Sequence, residues 1–279
     1  METVEIAGTE LRVSRLGFGT ASLHHLLWKS ERQYLLKTAL DAGITHFDTA
    51  RMYGEGLAER ELGCFLDRDR KRVTIGTKFG LPAVEVMERF PALLYAHRSL
   101  GGLGRKAAPA WWDRRKRCVT RVAAEKSLER SLRALQTDYI DIFFLHEPSE
   151  VDQGAMFETM AYLEREKRSG KIRYLGLAGE ASECGAFAQW ADGVFDVLQV
   201  RDSLEKHEAD CLSAIGKKAQ ITYGYLRAAR GATEVNSEMR GVMREAQTRN
   251  PDGVILVSSR KPNRLQMLAD WAGDERVGQ

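Results

Sequence analysis

The chain has 279 residues, 43% of them hydrophobic, so it is long enough to bury a sizeable core as one large domain or two small ones. Its 42 Lys and Arg residues against 39 Asp and Glu residues give a formal charge of +3. That charge is too balanced to indicate a nucleic-acid or membrane partner, and we interpret the basic run at 113–118 as a solvated loop. The four cysteines form no CxxC pair, so the sequence indicates neither a zinc site nor a disulfide framework.

The N-terminal segment METVEIAGTELRVSRLGFG contains no apolar core of signal-peptide length. No other run reaches the roughly 18 apolar residues that a membrane span needs. We therefore expect a soluble cytoplasmic protein. No sequence motif indicates an oligomeric state.

In chain order, the first predicted element is a β-hairpin at 4–14, turning at Ala7, Gly8 and Thr9, which would close the bottom of a barrel. After it, short apolar strands alternate with amphipathic helices, several of which begin at a Ser, Asp or Gly cap. The predicted strands are 15–20, 43–49, 73–78, 139–146, 172–178, 195–200, 220–225 and 253–259. The predicted helices are 30–43, 56–68, 121–136, 154–170, 181–192, 208–219, 237–250 and 263–273.

Eight alternating strands and helices in a chain of this length predict a parallel (β/α)8 TIM barrel with an N-terminal β-hairpin, as a single domain over 1–279. A doubly wound open sheet is the competing fold. It is weakened because the first strand continues into GFGTASLHH, which lacks the full GxGxxG phosphate turn. The segment 80–120 is too long for an ordinary connection, so we interpret it as a long loop or insert, and a candidate active-site loop.

Polar residues follow three successive predicted strands, at the ends that meet at one mouth of a barrel. They are Asp48 with Tyr53 in the loop behind it, Lys78, and His146. Taken singly, these could be a turn residue, a packing aromatic, a solvated lysine and a core histidine. Packing alone is a poor explanation for four polar residues at corresponding ends of neighbouring strands.

The four residue types suit protonation of a carbonyl oxygen without a metal ion. A lysine cation beside a tyrosine favours the phenolate, so we expect Lys78 to lower the pKa of Tyr53. Asp48 would pair with Lys78 and orient it. His146 would hold a substrate oxygen near the phenol.

Several motifs between about residues 11 and 268 are distinctive when read together. They are GFGT, GITHFDTARMYGEGLAERELG, TKFG, SLERSLRALQTDYIDIFFLHEP, GKIRYLGLA, DVLQV and GVILVSSRKPNRL. With them the sequence resembles the aldo-keto reductase family over nearly its whole length. The resemblance implies that Asp48, Tyr53, Lys78 and His146 form the catalytic tetrad, whereas Glu55 and Glu59 cap and solvate the helix start.

The resemblance also implies hydride transfer from NADP(H), usually NADPH, to a small aldehyde or ketone, with Tyr53 as general acid. Gln199 would hydrogen-bond the nicotinamide carboxamide and Tyr223 would stack against the ring. Near the last strand, the residues that match the family's adenosine-phosphate site are Ser258, Ser259, Arg260 and Arg264. Without the resemblance, a strand-end amide, a core aromatic and a basic helix start remain the alternatives.

Two departures from the family pattern concern the cofactor site. The family typically has Ser-Asn where this chain has Ala178 and Gly179, so two side-chain hydrogen bonds to the cofactor would be missing. Cofactor affinity would fall by about tenfold or more unless Glu180 or backbone groups compensate. Where the family usually has Q-x-x-Y-N, this chain has QVRDS at 199–203, so the charged pair of Arg201 and Asp202 replaces an apolar tyrosine. The pair either reshapes the mouth or forms a local turn contact. The departures motivate a second hypothesis, a catalytically weak or inactive nucleotide- or partner-binding protein, which retention of the tetrad disfavours.

The substrate pocket is expected to come largely from the segment 80–120. Several aromatic residues are candidates for lining it, or alternatively for packing in the core or loops. They are Phe18, Trp28, Phe79, Tyr95, Trp111 and Trp112.

Overall fold

A computed structural model describes residues 1–67, 69–84, 87, 95, 117–148, 153–227 and 235–273. The predicted insert at 80–120 therefore lies mostly outside the described residues, as do Trp111 and Trp112. For the same reason, the single domain over 1–279 stays a prediction.

The predicted barrel is confirmed. Eight parallel strands close in the order β10-β3-β4-β5-β6-β7-β8-β9, so each strand pairs with its neighbour in sequence and the last pairs with the first. The barrel strands are β3 Leu16–Gly19, β4 His46–Asp48, β5 Thr74–Phe79, β6 Ile140–His146, β7 Ile172–Gly179, β8 Val197–Arg201, β9 Ile221–Tyr223 and β10 Val254–Val257.

The N-terminal hairpin is also confirmed. Strands β1 Thr3–Glu5 and β2 Arg12–Ser14 pair antiparallel, with Val4 opposite Val13. Its apolar side chains are buried in the same cluster as inward-facing residues of the barrel, such as Ile142 and Val254. The hairpin therefore covers one end of the barrel, and the site must lie at the other.

The helices follow the predicted order. The α-helices of the described residues are α1 Lys29–Asp41, α2 Leu57–Leu66, α3 Arg121–Leu135, α4 Gln153–Arg168, α5 Ala181–Trp190, α6 Val235–Arg249 and α7 Pro262–Gly273. Shorter 3-10 helices span Thr20–His25, Arg70–Arg72, Glu208–Ile215 and Tyr225–Arg227. None of the helices in the described ranges is both long and apolar enough to cross a membrane.

The predicted helix at 208–219 differs from the structure. It is a 3-10 helix that ends at Ile215, bounded by His207 at φ +53° and Gly216 at φ +67°. An apolar pattern over so few residues does not separate 3.0 from 3.6 residues per turn, which is why the sequence alone misassigned it.

Glycines on the inner wall let a large side chain fill the barrel below the site. A Cβ atom at Gly76 would lie 2.9 Å from the Phe144 ring, and one at Gly176 would lie 2.4 Å from it. Since side chains alternate along a strand, Lys78 is inward-facing two residues after Gly76, and His146 two residues after Phe144. The packed layer around Phe144 thus supports the layer that carries the polar residues.

Candidate active site

Asp48 and Lys78 form a buried ion pair at the ends of neighbouring strands β4 and β5. The Lys78 Nζ donates to Asp48 Oδ1 at 2.5 Å and to the backbone oxygen of Thr49 at 2.8 Å. The two residues are only 4% and 2% exposed, so the charges are held in a dry environment. The predicted pairing is therefore present, and the lysine is fixed by two acceptors rather than free in solvent.

Tyr53 lies on a tight loop between β4 and α2. The loop is left-handed at three consecutive residues, Gly54, Glu55 and Gly56, with φ of +59°, +54° and +83°. Lys78 Nζ lies 5.0 Å from the centroid of the Tyr53 ring. The His146 ring meets the Tyr53 ring edge-on, with centroids 6.2 Å apart and planes at 83°. The structure therefore brings the four predicted residues together.

The expected direction of the Tyr53 pKa is wrong for this structure. Burial, followed by the negative charges of Asp48 and Glu147, raises the pKa of the Tyr53 phenol well above its usual range. Asp48 accepts the hydrogen bond of Lys78 and offsets its charge, so lysine does not dominate the field at the phenol. Tyr53 consequently keeps its proton at neutral pH.

Burial lowers the pKa of His146 and of Lys78, whereas it raises the pKa of Tyr53. Burial, with the positive charges of Lys78 and Arg117, lowers the pKa of His146 to about 3, so its ring is neutral at physiological pH. Burial also lowers the pKa of Lys78, while Asp48 opposes that shift by its charge and hydrogen bond. A neutral imidazole can donate one hydrogen bond and accept another, as a substrate-positioning group requires.

Gln199 extends the site onto β8. Its amide nitrogen donates to Asp48 Oδ1 at 3.0 Å, and its buried Oε1 atom has no hydrogen-bond partner among the described residues. A buried acceptor left without a donor costs about 1–3 kcal/mol, so this atom is suited to a donor that a ligand supplies. On the next strand, the hydroxyl of Tyr223 donates to the backbone oxygen of Gly179 at 3.4 Å.

The four residues predicted near the last strand separate into two kinds. Ser258 donates to the backbone oxygen of Gly19 at 2.8 Å, and Ser259 accepts from the backbone N–H of Lys261 at 3.0 Å. Arg260 is exposed and Arg264 is partly buried. Neither arginine side chain makes an ion pair or hydrogen bond within the described part of the chain, so both charges are available to an anion near the start of α7.

The structure explains one departure and corrects the interpretation of another. A Cβ atom at Gly179 would lie 3.2 Å from Glu147 Cα and 3.3 Å from Pro148 Cδ, so the loop after β6 leaves little room for a side chain at this position. The alternative of a contact between Arg201 and Asp202 is wrong. Arg201 lies 3.5 Å from Glu180, whereas Asp202 is buried and accepts from Tyr225 and Arg249.

The expectation that Glu59 is a solvated cap is also wrong. Its side chain is 0% exposed and accepts hydrogen bonds from Arg51, Thr77 and Ser131. Glu59 shares one helix face with Leu62 and Leu66, which are three and seven residues further on. That apolar spacing is the sequence signal that could have predicted its burial.

Glu55 differs from its expected role as well. It is 5% exposed and accepts from the backbone N–H of Val84 at 2.7 Å, so it ties the start of the long segment to the loop that carries Tyr53.

Four of the six aromatic residues proposed as a pocket lining are described, and these four do not form one surface. Phe18 and Phe79 are each 1% exposed and belong to the core, whereas Trp28 is 65% exposed. Tyr95 contacts the cluster of Leu57 and Met87, and its hydroxyl accepts from Arg32 at 2.9 Å. These residues are therefore assigned to core, surface and loop packing.

Comparisons with known proteins identify the family of the chain. Residues 15–204 match the model of the aldo/keto reductase family. The D-threo-aldose 1-dehydrogenase of a Pseudomonas species is 30% identical over 63% of this chain and 53% of its own length. The NADH-specific methylglyoxal reductase of Escherichia coli is 29% identical over 73% of this chain and 60% of its own length. The chain thus spans about half of the curated relatives it matches first.

Solved structures show the same fold at lower identity. The glycerol dehydrogenase of Gluconobacter oxydans superposes with a TM-score of 0.74 at 22% identity, covering 96% of this chain and 89% of that one. The holo form of an aldo-keto reductase from Bacillus halodurans superposes with a TM-score of 0.73 at 19% identity, covering 98% and 91%. Since the family model matches well over half of the sequence, the chain belongs to the aldo/keto reductase family.

Proposed function

We propose that the chain reduces a small aldehyde or ketone to the alcohol, with NADPH as the hydride donor and Tyr53 as the proton donor. The observation that carries the proposal is the cluster of Tyr53, Lys78 and His146 around one point of the barrel mouth. The substrate oxygen would lie where the phenol and the imidazole can both reach it. Family membership supports the reaction class and leaves the substrate to experiment.

Each residue of the cluster has a physical role in the proposed step. A nicotinamide cofactor held by Gln199, Arg260 and Arg264 would supply the hydride for the carbonyl carbon. Tyr53 gives its phenolic proton to the carbonyl oxygen, and its raised pKa ensures that the proton is present at neutral pH. The resulting phenolate faces the Lys78 ammonium 5.0 Å from the ring centroid, which stabilises the new negative charge in a buried site.

The residues present fit a nicotinamide cofactor in two places. The unpartnered Oε1 of Gln199 is suited to the N–H donor of a carboxamide. Arg260 and Arg264, without protein partners in the described ranges, are suited to a phosphate on the adenosine ribose. We therefore propose NADPH over NADH, although relatives differ: the Escherichia coli protein is named as NADH-specific and a Schizosaccharomyces pombe relative is named with NADP(+).

The first experiment is a titration of the protein with NADPH and with NADH, followed by the fluorescence of its five tryptophans. NADPH is expected to bind at least about tenfold more tightly. Absorbance of the reduced cofactor then reports turnover with methylglyoxal, glyceraldehyde and an aromatic aldehyde. Failure of both cofactors to bind would contradict the proposal.

The hypothesis of an inactive binding protein has less support. It rested on the altered residues at the mouth, and those residues have structural partners of their own. The Asp48 and Lys78 pair, in contrast, is buried and fully assembled, which is the arrangement that the chemistry needs.

A further inference from the structure

Glu59 is a fully buried carboxylate next to the candidate active site but not part of the tetrad. It lies in the first turn of α2, with 0% of its side chain exposed. A buried carboxylate is strongly unfavourable unless it is paired and hydrogen-bonded. The positions of its partners therefore indicate why the carboxylate is placed there.

The partners of Glu59 come from three different parts of the fold. Its Oε2 accepts from Arg51 Nη1 at 2.5 Å, and Arg51 precedes Tyr53 by two residues on the same loop. Its Oε1 accepts from Thr77 Oγ1 at 2.6 Å, and Thr77 precedes Lys78 on β5. The same Oε1 accepts from Ser131 Oγ at 2.7 Å on α3. One carboxylate thus connects the segment that carries the phenol to the strand that carries the ammonium.

Close packing of α2 on α3 holds the carboxylate in place. Gly63 lies one turn after Glu59, and a Cβ atom there would be 2.3 Å from the backbone oxygen of Ala134. The two helices approach closely because Gly63 has no side chain. Ser131, one turn before Ala134 and four residues before buried Leu135, therefore faces α2 and reaches Glu59.

The loop that carries Tyr53 has an uncommon backbone conformation. Its three consecutive left-handed residues include Glu55, a conformation that non-glycine residues rarely adopt. Backbone bonds hold its ends, from Thr49 N to Gly76 O at 2.8 Å and from Ala58 N to Tyr53 O at 3.2 Å. Between these bonds, Tyr53 N also donates to Ala50 O at 3.0 Å, and the bond of Arg51 to Glu59 adds a side-chain connection from the loop to α2.

We propose that Glu59 is a positioning residue that sets Tyr53 relative to Lys78 through its bonds to Arg51 and Thr77. The proposal rests on the proposed function for its catalytic consequence, whereas the positioning itself does not depend on turnover. The negative charge of Glu59 also affects Lys78. Burial lowers the pKa of Lys78, and the charges of Asp48 and then Glu59 oppose that shift. The carboxylate thus helps to keep the ammonium charged behind the phenol.

A matched pair of substitutions separates positioning from general stability. Thr77→Val and Ser131→Ala each remove one hydroxyl from the same Glu59 Oε1 atom, at 2.6 Å and 2.7 Å. Both side chains are 0% exposed, so their losses of stability should be similar. Only Thr77 is adjacent to a tetrad residue.

We expect Thr77→Val to lower kcat by about tenfold, because small misplacements of reacting groups have large effects on rate. KM and the cofactor dissociation constant should change by less than about twofold, as should kcat of Ser131→Ala. Thr77→Ser, which keeps the hydroxyl, should restore kcat. Equal values of kcat in Thr77→Val and Ser131→Ala would overturn the proposal, because a merely structural bond would affect both alike.

Hydrogen–deuterium exchange of the cofactor-free protein tests the positioning without turnover. We expect the amides of residues 49–57 to exchange faster in Thr77→Val than in the unmodified protein and at an unchanged rate in Ser131→Ala. Equal exchange rates of these amides in the two variants would overturn the proposal. If the unmodified protein binds no cofactor, the proposed function fails and the exchange result still decides on Glu59. If Thr77→Val does not fold, Arg51→Lys replaces it in the same comparison, since it keeps the charge and shortens the reach to Glu59.

Discussion

The two walls of the barrel mouth differ in whether their charged side chains are paired within the protein. On the wall formed by β4, β5 and β6, Asp48 and Lys78 are paired with each other and almost fully buried. On the wall formed by β7 to β10, Gln199 Oε1 has no donor among the described residues, and Arg260 and Arg264 have no protein partner there. The ion pair of the first wall is formed within the protein, whereas the second wall has an unused acceptor and two arginines without a protein partner among the described residues.

This difference fits the proposed function, in which the first wall carries the groups for proton transfer and the second wall binds the cofactor. Groups that transfer or stabilise a proton work best when their geometry is fixed beforehand, because reorganisation during the reaction adds to the barrier. Groups that bind a dissociable cofactor must keep hydrogen-bonding atoms and charges that are not already paired within the protein. Substitutions on the first wall should therefore affect turnover, and substitutions on the second should affect affinity.

The largest expected effect is on the first wall. We expect Tyr53→Phe to lower kcat for carbonyl reduction by about a thousandfold, because the proton donor is lost while the ring remains. Cofactor affinity, measured by tryptophan fluorescence, should stay within about twofold. Normal turnover in this variant would show that Tyr53 is not the proton donor. It would also contradict the expectation that substitutions on the first wall affect turnover.

The next effect concerns stability, since the first wall also holds buried neutral histidines. The pKa of His46 is lowered to about 4 and that of His146 to about 3, mainly by burial. Their pKa in the unfolded chain is about 6.5, so the unfolded state binds more protons below that pH and stability falls as the pH falls. At about pH 5, each histidine should reduce the free energy of unfolding by roughly 2 kcal/mol relative to pH 8.

Urea unfolding at pH 8, 6.5 and 5 measures this dependence, with His146→Gln as the comparison. The variant should lose about half of the expected change between pH 8 and 5, because one of the two histidines is gone. A pH dependence identical to that of the unmodified protein would mean that His146 is not held neutral by the fold.

The smallest effect is expected on the second wall. We expect Arg264→Ala to weaken NADPH binding by about tenfold and NADH binding by less than about twofold, because only NADPH carries the additional phosphate. Arg168→Ala, an exposed arginine on α4, is the matched control for the loss of one charge and should change neither affinity. Equal weakening of both cofactors by Arg264→Ala would show that this arginine does not recognise the phosphate.

Much of the fold and of the first wall could be predicted from the sequence. Alternating apolar strands and amphipathic helices predicted the barrel and the hairpin, because burial of an apolar face imposes a periodicity that is visible in the sequence. Asp48, Lys78 and His146 were found because they end predicted strands, and parallel strand ends meet at one mouth. The 3-10 helix at Glu208–Ile215 was missed because its apolar spacing resembles that of an α-helix.

Charge environments were predicted less well, because they depend on three-dimensional neighbours. The sequence places a lysine near Tyr53, but the raised pKa of Tyr53 depends on burial and on Asp48 and Glu147. Likewise, the spacing of Glu59 with Leu62 and Leu66 could have indicated a buried position, but the partners of its carboxylate on β5 and α3 are visible only in the tertiary structure. Fields in a low-dielectric interior depend on distances that local sequence does not specify.

The sequence by itself determined the order of the elements, the inward-facing positions and the residue types at the barrel mouth, since these follow from periodicity along the chain. Only the tertiary structure decided which of those residues are paired, which are neutral and which retain unused hydrogen-bonding capacity. Asp48 accepts hydrogen bonds from Lys78 and from the amide nitrogen of Gln199, while Gln199 Oε1 has no partner among the described residues. Such pairings join residues distant in sequence, and their energies depend on burial, which arises only when the whole barrel closes.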